Sequence, residues 1–119
     1  MNHWKIYYNP RCSTCRKTLD ILKSKDIEPE IIEYLQTGPD KAEITNILNA
    51  YSGDPIDIVR LKDLDIDAKN ELENLSSQDK TEYIVNLLAK TPKLLQRPIV
   101  FRGNTAVVAR PPEEVLKLF

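Results

Sequence analysis

The period of apolar residues changes along this chain. Lys5-Ile6-Tyr7-Tyr8 is a short aromatic and β-branched run, stopped by Asn9-Pro10, and it predicts a strand. Leu19, Ile21 and Leu22 then supply the apolar positions of a helix, which Ser13 or Thr14 can cap and which ends near Asp26. After Pro29, Glu30-Ile31-Ile32-Glu33-Tyr34-Leu35 predicts a second strand, closed by Gly38-Pro39. Strand, helix and strand in the first 35 residues make a βαβ unit.

The middle reads as helical. Ala42, Ile44, Ile47 and Leu48 recur at helical spacing after an Asp40 cap, up to Tyr51-Ser52-Gly53. Ile56, Ile58, Val59 and Leu61 fit a short helix and an extended piece equally well. Residues 68–75 predict a weak helix. Residues 77–90 predict a stronger one, with Ser77, Gln78 and Asp79 as caps, Tyr83, Ile84, Leu87 and Leu88 as one stripe, and Pro92 as the stop. The period then returns to two. Residues 98–102 and 105–109 are β-rich runs joined by Gly103-Asn104, a hairpin signal. Pro111-Pro112 ends the second run, and Pro112 suits the first turn of a last helix carrying Val115, Leu116 and Phe119. The order β-α-β, helices, β-β-α predicts an α/β fold. With no repeat and no second core, residues 1–119 read as a single domain with a helical insertion at about 40–92.

Composition narrows the class. A 41% hydrophobic content at a net charge of −1 argues against disorder, and near-neutrality argues against a general nucleic-acid binder. No run approaches the ~18 apolar residues of a membrane span. The opening stretch Met1-Asn2-His3-Trp4-Lys5-Ile6 lacks the apolar run of a secretion signal, and a catalytic or sensing pair formed by the two cysteines would fit a cytoplasmic location, where structural disulfides rarely form. The small total hides a segregation. Residues 1–19 carry +4 and no acid, residues 20–82 carry −9, and residues 83–112 carry +5 and no acid. If the fold joins the two basic segments, they make an anion site; if not, they are charges on a solvated face.

Both cysteines stand in Cys12-Ser13-Thr14-Cys15, between a predicted strand and a predicted helix. A helix N-terminus carries roughly +0.5 charge and favours a thiolate. Arg11 and Arg16 add positive charge, and no acid precedes Asp20. Residues i and i+3 share a face of the first turn, so the sulfurs can meet. Three rival readings exist: inert buried thiols, a zinc site and a structural disulfide. Cys12 follows a proline loop rather than an apolar stripe, His3 is the only further sulfur or imidazole ligand, and so small a ring gains little from closure. A redox or nucleophilic thiol is the favoured reading. With a single histidine at the N-terminus, its activation falls to arginine, backbone N–H groups and the helix dipole.

Of six arginines, Arg60, Arg97 and Arg110 each adjoin a predicted strand end or a proline turn, where loops carry function. Arginine grips tetrahedral oxyanions with paired donors. A surface ion pair is the rival reading for each, and Arg97-Pro98 is a place where a cis peptide can occur.

Three stretches together resemble the glutaredoxin-linked arsenate reductases, the ArsC family: Tyr7-Tyr8-Asn9-Pro10-Arg11-Cys12-Ser13-Thr14-Cys15-Arg16, Leu95-Gln96-Arg97-Pro98-Ile99-Val100, and Ala109-Arg110-Pro111-Pro112-Glu113-Glu114-Val115. The resemblance implies a thioredoxin-like fold with a mixed sheet and a helical insertion. It implies Cys12 as the catalytic thiolate, Arg60, Arg97 and Arg110 as the oxyanion grip, and a cis-proline at Pro98. It also implies arsenate as substrate, glutathione and glutaredoxin as electron donors, no tightly bound cofactor or metal, and a monomer. Two residues differ from the well-studied members: Tyr8 replaces a histidine, and Cys15 replaces a common serine and becomes a possible resolving thiol. Two other functions resemble this pattern. One is a Spx-like redox-sensing regulator that binds RNA polymerase, and the other is a general thiol–disulfide oxidoreductase.

Overall fold

A computed structural model describes residues 3–119; Met1 and Asn2, part of the opening stretch read against a secretion signal, lie outside them. Four strands carry the fold: β1 (Trp4–Tyr7), β2 (Glu30–Ile32), β3 (Ile99–Arg102) and β4 (Thr105–Val108). They form one mixed sheet in the order β2-β1-β3-β4, with β1 and β2 parallel and the other two pairs antiparallel. The parallel pair is bridged by α1 (Ser13–Ser24), and Gly103-Asn104 turns the β3–β4 hairpin, as the apolar pattern predicts.

Both central strands are apolar at consecutive positions because successive side chains face opposite sides of the sheet and both sides are covered. Ile6 and Val100 point to one side, where they pack with Leu22 of α1 and with Ala109, Val115 and Leu118 near the C-terminus. Tyr7, Ile99 and Phe101 point to the other, into a core completed by the helices between β2 and β3. Those helices are α2 (Tyr34–Thr37), α3 (Lys41–Ala50), α4 (Ile66–Glu73) and α5 (Ser77–Lys90), with 3₁₀ turns at Pro55–Ile58, Leu61–Asp63 and Pro92–Leu94. Ile44 and Ile47 of α3 meet Ile84 and Leu88 of α5 there, all fully buried.

The caps follow side-chain chemistry. Asp40 accepts from Glu43 N–H at 2.8 Å, Asp65 from Ala68 N–H at 2.8 Å and Ser76 from Asp79 N–H at 3.3 Å. The α5 cap is therefore Ser76, not one of residues 77–79, and α4 starts two residues earlier than its apolar pattern indicates. The ambiguous stretch around Ile56 is 3₁₀ turns, with Val59 bridging Leu95 in antiparallel fashion. The last segment, Pro112–Leu118, is 3₁₀, with Pro112 in its first turn.

One expected strand is too long. Glu30–Ile32 is extended, but Tyr34 and Leu35 belong to α2. Gly38, at φ 66°, closes that turn by donating its N–H to the Tyr34 carbonyl at 3.0 Å, which an L side chain would resist. The turn directs the Tyr34 side chain into the core, where it is fully buried. No helix among the described residues is long and apolar enough to cross a membrane.

Truncating Leu22 to alanine removes a fully buried side chain from the α1 face of the sheet and is expected to lower stability by ~2–5 kcal/mol. Ile66→Ala, at a position 67% exposed, is expected to stay within ~0.5 kcal/mol. Urea titration followed by circular dichroism measures both; equal midpoints would contradict the packing described.

Candidate active site

The turn after β1 delivers Cys12 to the start of α1. Tyr8 N–H bonds the Ile32 carbonyl at 2.9 Å and holds the turn to β2. Asn9 then organises the loop from both ends: its side-chain oxygen accepts from Arg11 N–H at 3.0 Å and its carbonyl accepts from Cys12 N–H at 2.9 Å. Arg16 reaches back to the Pro10 carbonyl at 2.8 Å. Cys12 itself is the N-cap, in extended backbone, so the expected cap at Ser13 or Thr14 is corrected by one or two residues. Ser13 opens the helix, and the Thr14 carbonyl accepts from the Thr18 hydroxyl at 2.8 Å. The shift matters because it seats the sulfur at the positive end of α1.

Sheet register brings the second basic segment to the same rim. β1 and β3 pair with Tyr7 opposite Ile99, and β3 and β4 with Ile99 opposite Val108. Arg97, just before β3, and Arg110, just after β4, therefore adjoin the Cys12 turn. The Ala109 N–H to Pro98 carbonyl bond, 3.0 Å, ties the two arginine loops together. Arg97-Pro98 is cis, where the resemblance places a cis-proline, and Arg110-Pro111 is cis as well. Arg110 Nη1 lies 3.9 Å from Cys12 Sγ and donates to the Arg97 carbonyl at 2.8 Å.

The two thiols are driven apart in acidity. Both are free. Burial pushes the Cys12 thiol up, but the Cys15 backbone N–H, the Cys15 thiol and the Arg97 and Arg110 guanidinium groups outweigh it, and the pKa falls from 9.0 to about 7. Cys15 is fully buried, and burial with the neighbouring Cys12 charge pushes it up to about 12, against a smaller opposing pull from Asn9 and Arg97. One thiol is poised to ionise and the other to stay protonated.

Arg60 arrives by a different route. Its N–H bonds the Leu94 carbonyl at 2.7 Å and Gln96 N–H bonds the Ile58 carbonyl at 2.7 Å, so the 3₁₀ segment lies along the approach to β3. The side chain is only 7% exposed and is paired with Asp63 at 2.8 Å. That hydrogen bond from Arg60 holds the Asp63 carboxyl below its usual range. The Gln96 carboxamide oxygen accepts from Arg60 Nη1 at 3.4 Å and from Arg97 N–H at 3.3 Å. The structure thus gathers Cys12, Cys15, Arg97 and Arg110, while Arg60 stands behind Gln96 with its charge partly offset by Asp63. Gln96 and Tyr34 are the members of this cluster that sequence reasoning gave no role. For Gln96 the available signal was its place beside Arg97-Pro98; Tyr34, read as a strand residue, offered none.

A groove of about 530 Å³ opens beside Arg110, lined among others by Val59, Lys62, Gln96 and Val108. Among the described residues no three His, Cys, Asp or Glu side chains come together as a metal site, and the His3 imidazole lies 2.9 Å from Glu30.

The whole chain is similar to known proteins. The Escherichia coli K12 protein YfgD is 37% identical over 115 residues, spanning 96% of this chain and 94% of that one. An arsenate reductase of Neisseria meningitidis serogroup B is 35% identical over 112 residues, 93% of each chain. The solved arsenate reductase from Vibrio cholerae superposes with a TM-score of 0.83 at 30% identity, covering 99% of this chain and 98% of that one. The expected α/β thioredoxin-like architecture is therefore correct. The ArsC family model matches residues 7–118, from the last residue of β1 to the final turn, and the chain belongs to the ArsC family.

Proposed function

We propose that the chain reduces arsenate to arsenite with a thiol donor. The observation that carries this reading is Cys12 at the α1 N-terminus, shifted to about 7, with Arg110 3.9 Å from its sulfur and Arg97 beside it. Relatives named arsenate reductases, 34–35% identical over nearly the whole chain, support the substrate. The two arginines and backbone N–H groups of the first helical turn bind the tetrahedral oxyanion. Arg60 contributes field from behind Gln96.

The Cys12 thiolate attacks arsenic. A sulfur–arsenic bond forms, one arsenic–oxygen bond breaks, and that oxygen leaves as water after taking a proton. A second thiolate then attacks the Cys12 sulfur. A sulfur–sulfur bond forms, the electron pair of the sulfur–arsenic bond stays on arsenic, and arsenic passes from the +5 to the +3 state as arsenite departs. Glutathione is the donor of this second thiolate, with the groove beside Arg110 as its approach, and glutaredoxin restores Cys12 by exchange. Cys15 competes for the same step. Its thiolate is scarce while Cys12 is ionised, but the Cys12 charge is one cause of that scarcity and disappears in the adduct. A monomer in the reducing cytoplasm, with no bound cofactor, completes this reading.

A general thiol–disulfide oxidoreductase is the second reading, favoured by the split between an acidic Cys12 and a buried Cys15. It predicts disulfide reduction that is indifferent to oxyanions and to Arg97.

The deciding assay couples arsenate to glutathione and glutaredoxin, beside thioredoxin as the alternative donor. Cys12→Ser is expected to bring turnover to background, and Arg97→Ala to lower kcat/KM by roughly 10²–10³-fold. Arsenate turnover that survives Cys12→Ser would overturn the mechanism.

Cys12 alkylation by iodoacetamide should rise with pH through a midpoint near 7, rather than the ordinary 9.0, while Cys15 stays unreacted in that range. The lowered pKa also gives stability that is fully present above the ordinary value and is lost as pH falls through about 7. Peptide mapping measures the first effect and thermal melts across pH the second; a Cys12 midpoint at 9 refutes both.

Mild peroxide should convert Cys12 to a sulfenic acid that condenses with the Cys15 thiol, releasing water. Intact mass is expected to fall by about 2 Da, the two lost hydrogens, and to recover with reductant. An unchanged mass would remove Cys15 from the cycle.

A further inference from the structure

Two buried polar side-chain atoms among the described residues lack a hydrogen-bond partner, and they belong to neighbouring residues of the site: the Tyr34 hydroxyl and Arg97 Nε. Tyr34 is 0% exposed. Its ring belongs to the core with Tyr7, Ile44 and Leu95, but its hydroxyl lies beside the Arg97 side chain, within the electrostatic reach of Cys15 and Arg60. Leaving a hydroxyl buried and unpaired is unfavourable, and phenylalanine would fill the same space without that penalty. A tyrosine here needs a reason beyond packing.

Arg97 supplies one. The residue is partly exposed while its Nε is buried, so its accessible surface belongs to other atoms. Burial works against the Arg97 charge, and the groups that favour it are Tyr34 and Cys12. The guanidinium thus lies between the Tyr34 hydroxyl and the reactive sulfur, with its Nε still without a partner. Its main chain is already held, by Gln96 Oε1 at the N–H and by Arg110 at the carbonyl. Only the side-chain pose remains to be set.

We infer that Tyr34 is the positioning residue for Arg97: its hydroxyl accepts from the inward Nε–H as the anion engages, and keeps the terminal amino groups aimed at Cys12 and the bound oxyanion. Tyr34 touches no substrate. It acts through the guanidinium, and lysine, whose single terminal ammonium must face the anion, has no second N–H along its stem to offer the hydroxyl.

The inference rests on the Cys12–Arg97 site of the proposed reduction but is read without turnover, so a failed reductase assay and a failed Tyr34 test remain separate results. The measurement is the rate of Cys12 alkylation across pH, with and without arsenate or inorganic phosphate as the protecting anion. Tyr34→Phe is expected to fold with an unchanged or higher melting temperature. It should require roughly tenfold more anion for half-protection and raise the alkylation midpoint by about half a pH unit. In an Arg97→Lys background the same substitution should change neither quantity further. If Tyr34→Phe matches the parent in both, or if its effect persists in full beside Arg97→Lys, Tyr34 is only a core aromatic. If no anion protects the parent protein, the midpoint shift and its loss in the Arg97→Lys background decide the matter by themselves.

Discussion

The antiparallel pairing of β1 with β3 is the contact on which the site depends. With Tyr7 opposite Ile99, the chain leaving β1 meets the chain entering β3 at one rim of the sheet. The β3–β4 register then returns the chain leaving Val108 to that rim. Cys12, Arg97 and Arg110 are brought together by these two registers and by nothing local to any of them. A slip of one residue would turn Ile6 and Val100 toward the opposite face and take the core with it, so the burial that stabilises the sheet also fixes where the thiol and its arginines meet.

Electrostatics builds on that geometry. A half-buried thiol resists ionisation, and here donors from three parts of the chain oppose the penalty: the first turn of α1, Arg97 and Arg110. The cluster is ordered in layers. Arg110 is exposed and 3.9 Å from the sulfur, Arg97 is partly buried between Cys12 and Tyr34, and Arg60 is the most buried, with Asp63 as counter-charge. Buried guanidinium groups need such partners. Gln96, accepting from both Arg60 and the Arg97 main chain, connects the deepest layer to the next. Cys15, one helical turn from Cys12, has the reverse environment and keeps its proton.

Much of this was legible in the residues because it is local. The Asp40 cap, the Ile44, Ile47 and Leu48 face of α3, the α5 stripe and the Gly103-Asn104 hairpin each depend on neighbours within a few positions and stand as the residues predict, although Ala42, expected on the α3 stripe, is exposed. The errors share a cause. Tyr34 and Leu35 look like strand residues by propensity, but the turn closed by Gly38 makes them helical, and the core takes the Tyr34 ring. Ser13 and Thr14 are better caps than cysteine by side-chain chemistry, but the Asn9 loop sets the helix start at Cys12. In both cases a neighbouring element overrode an intrinsic preference.

By itself, the sequence determined the element order, the two acid-free basic segments and the Cys12–Cys15 spacing on one face of a helix, since these depend on composition and short-range period. Tertiary structure decided which arginines face the thiol. Arg97 and Arg110 do so through strand register, whereas Arg60 comes alongside only because residues 58–60 hydrogen-bond to residues 94–96, a pairing between segments about 36 positions apart that no local pattern records. It also decided that a tyrosine hydroxyl lies beneath Arg97. Hydrogen-bond partners are assigned by proximity in the folded chain, and proximity across the sheet is the property that a one-dimensional pattern of polar and apolar residues does not carry.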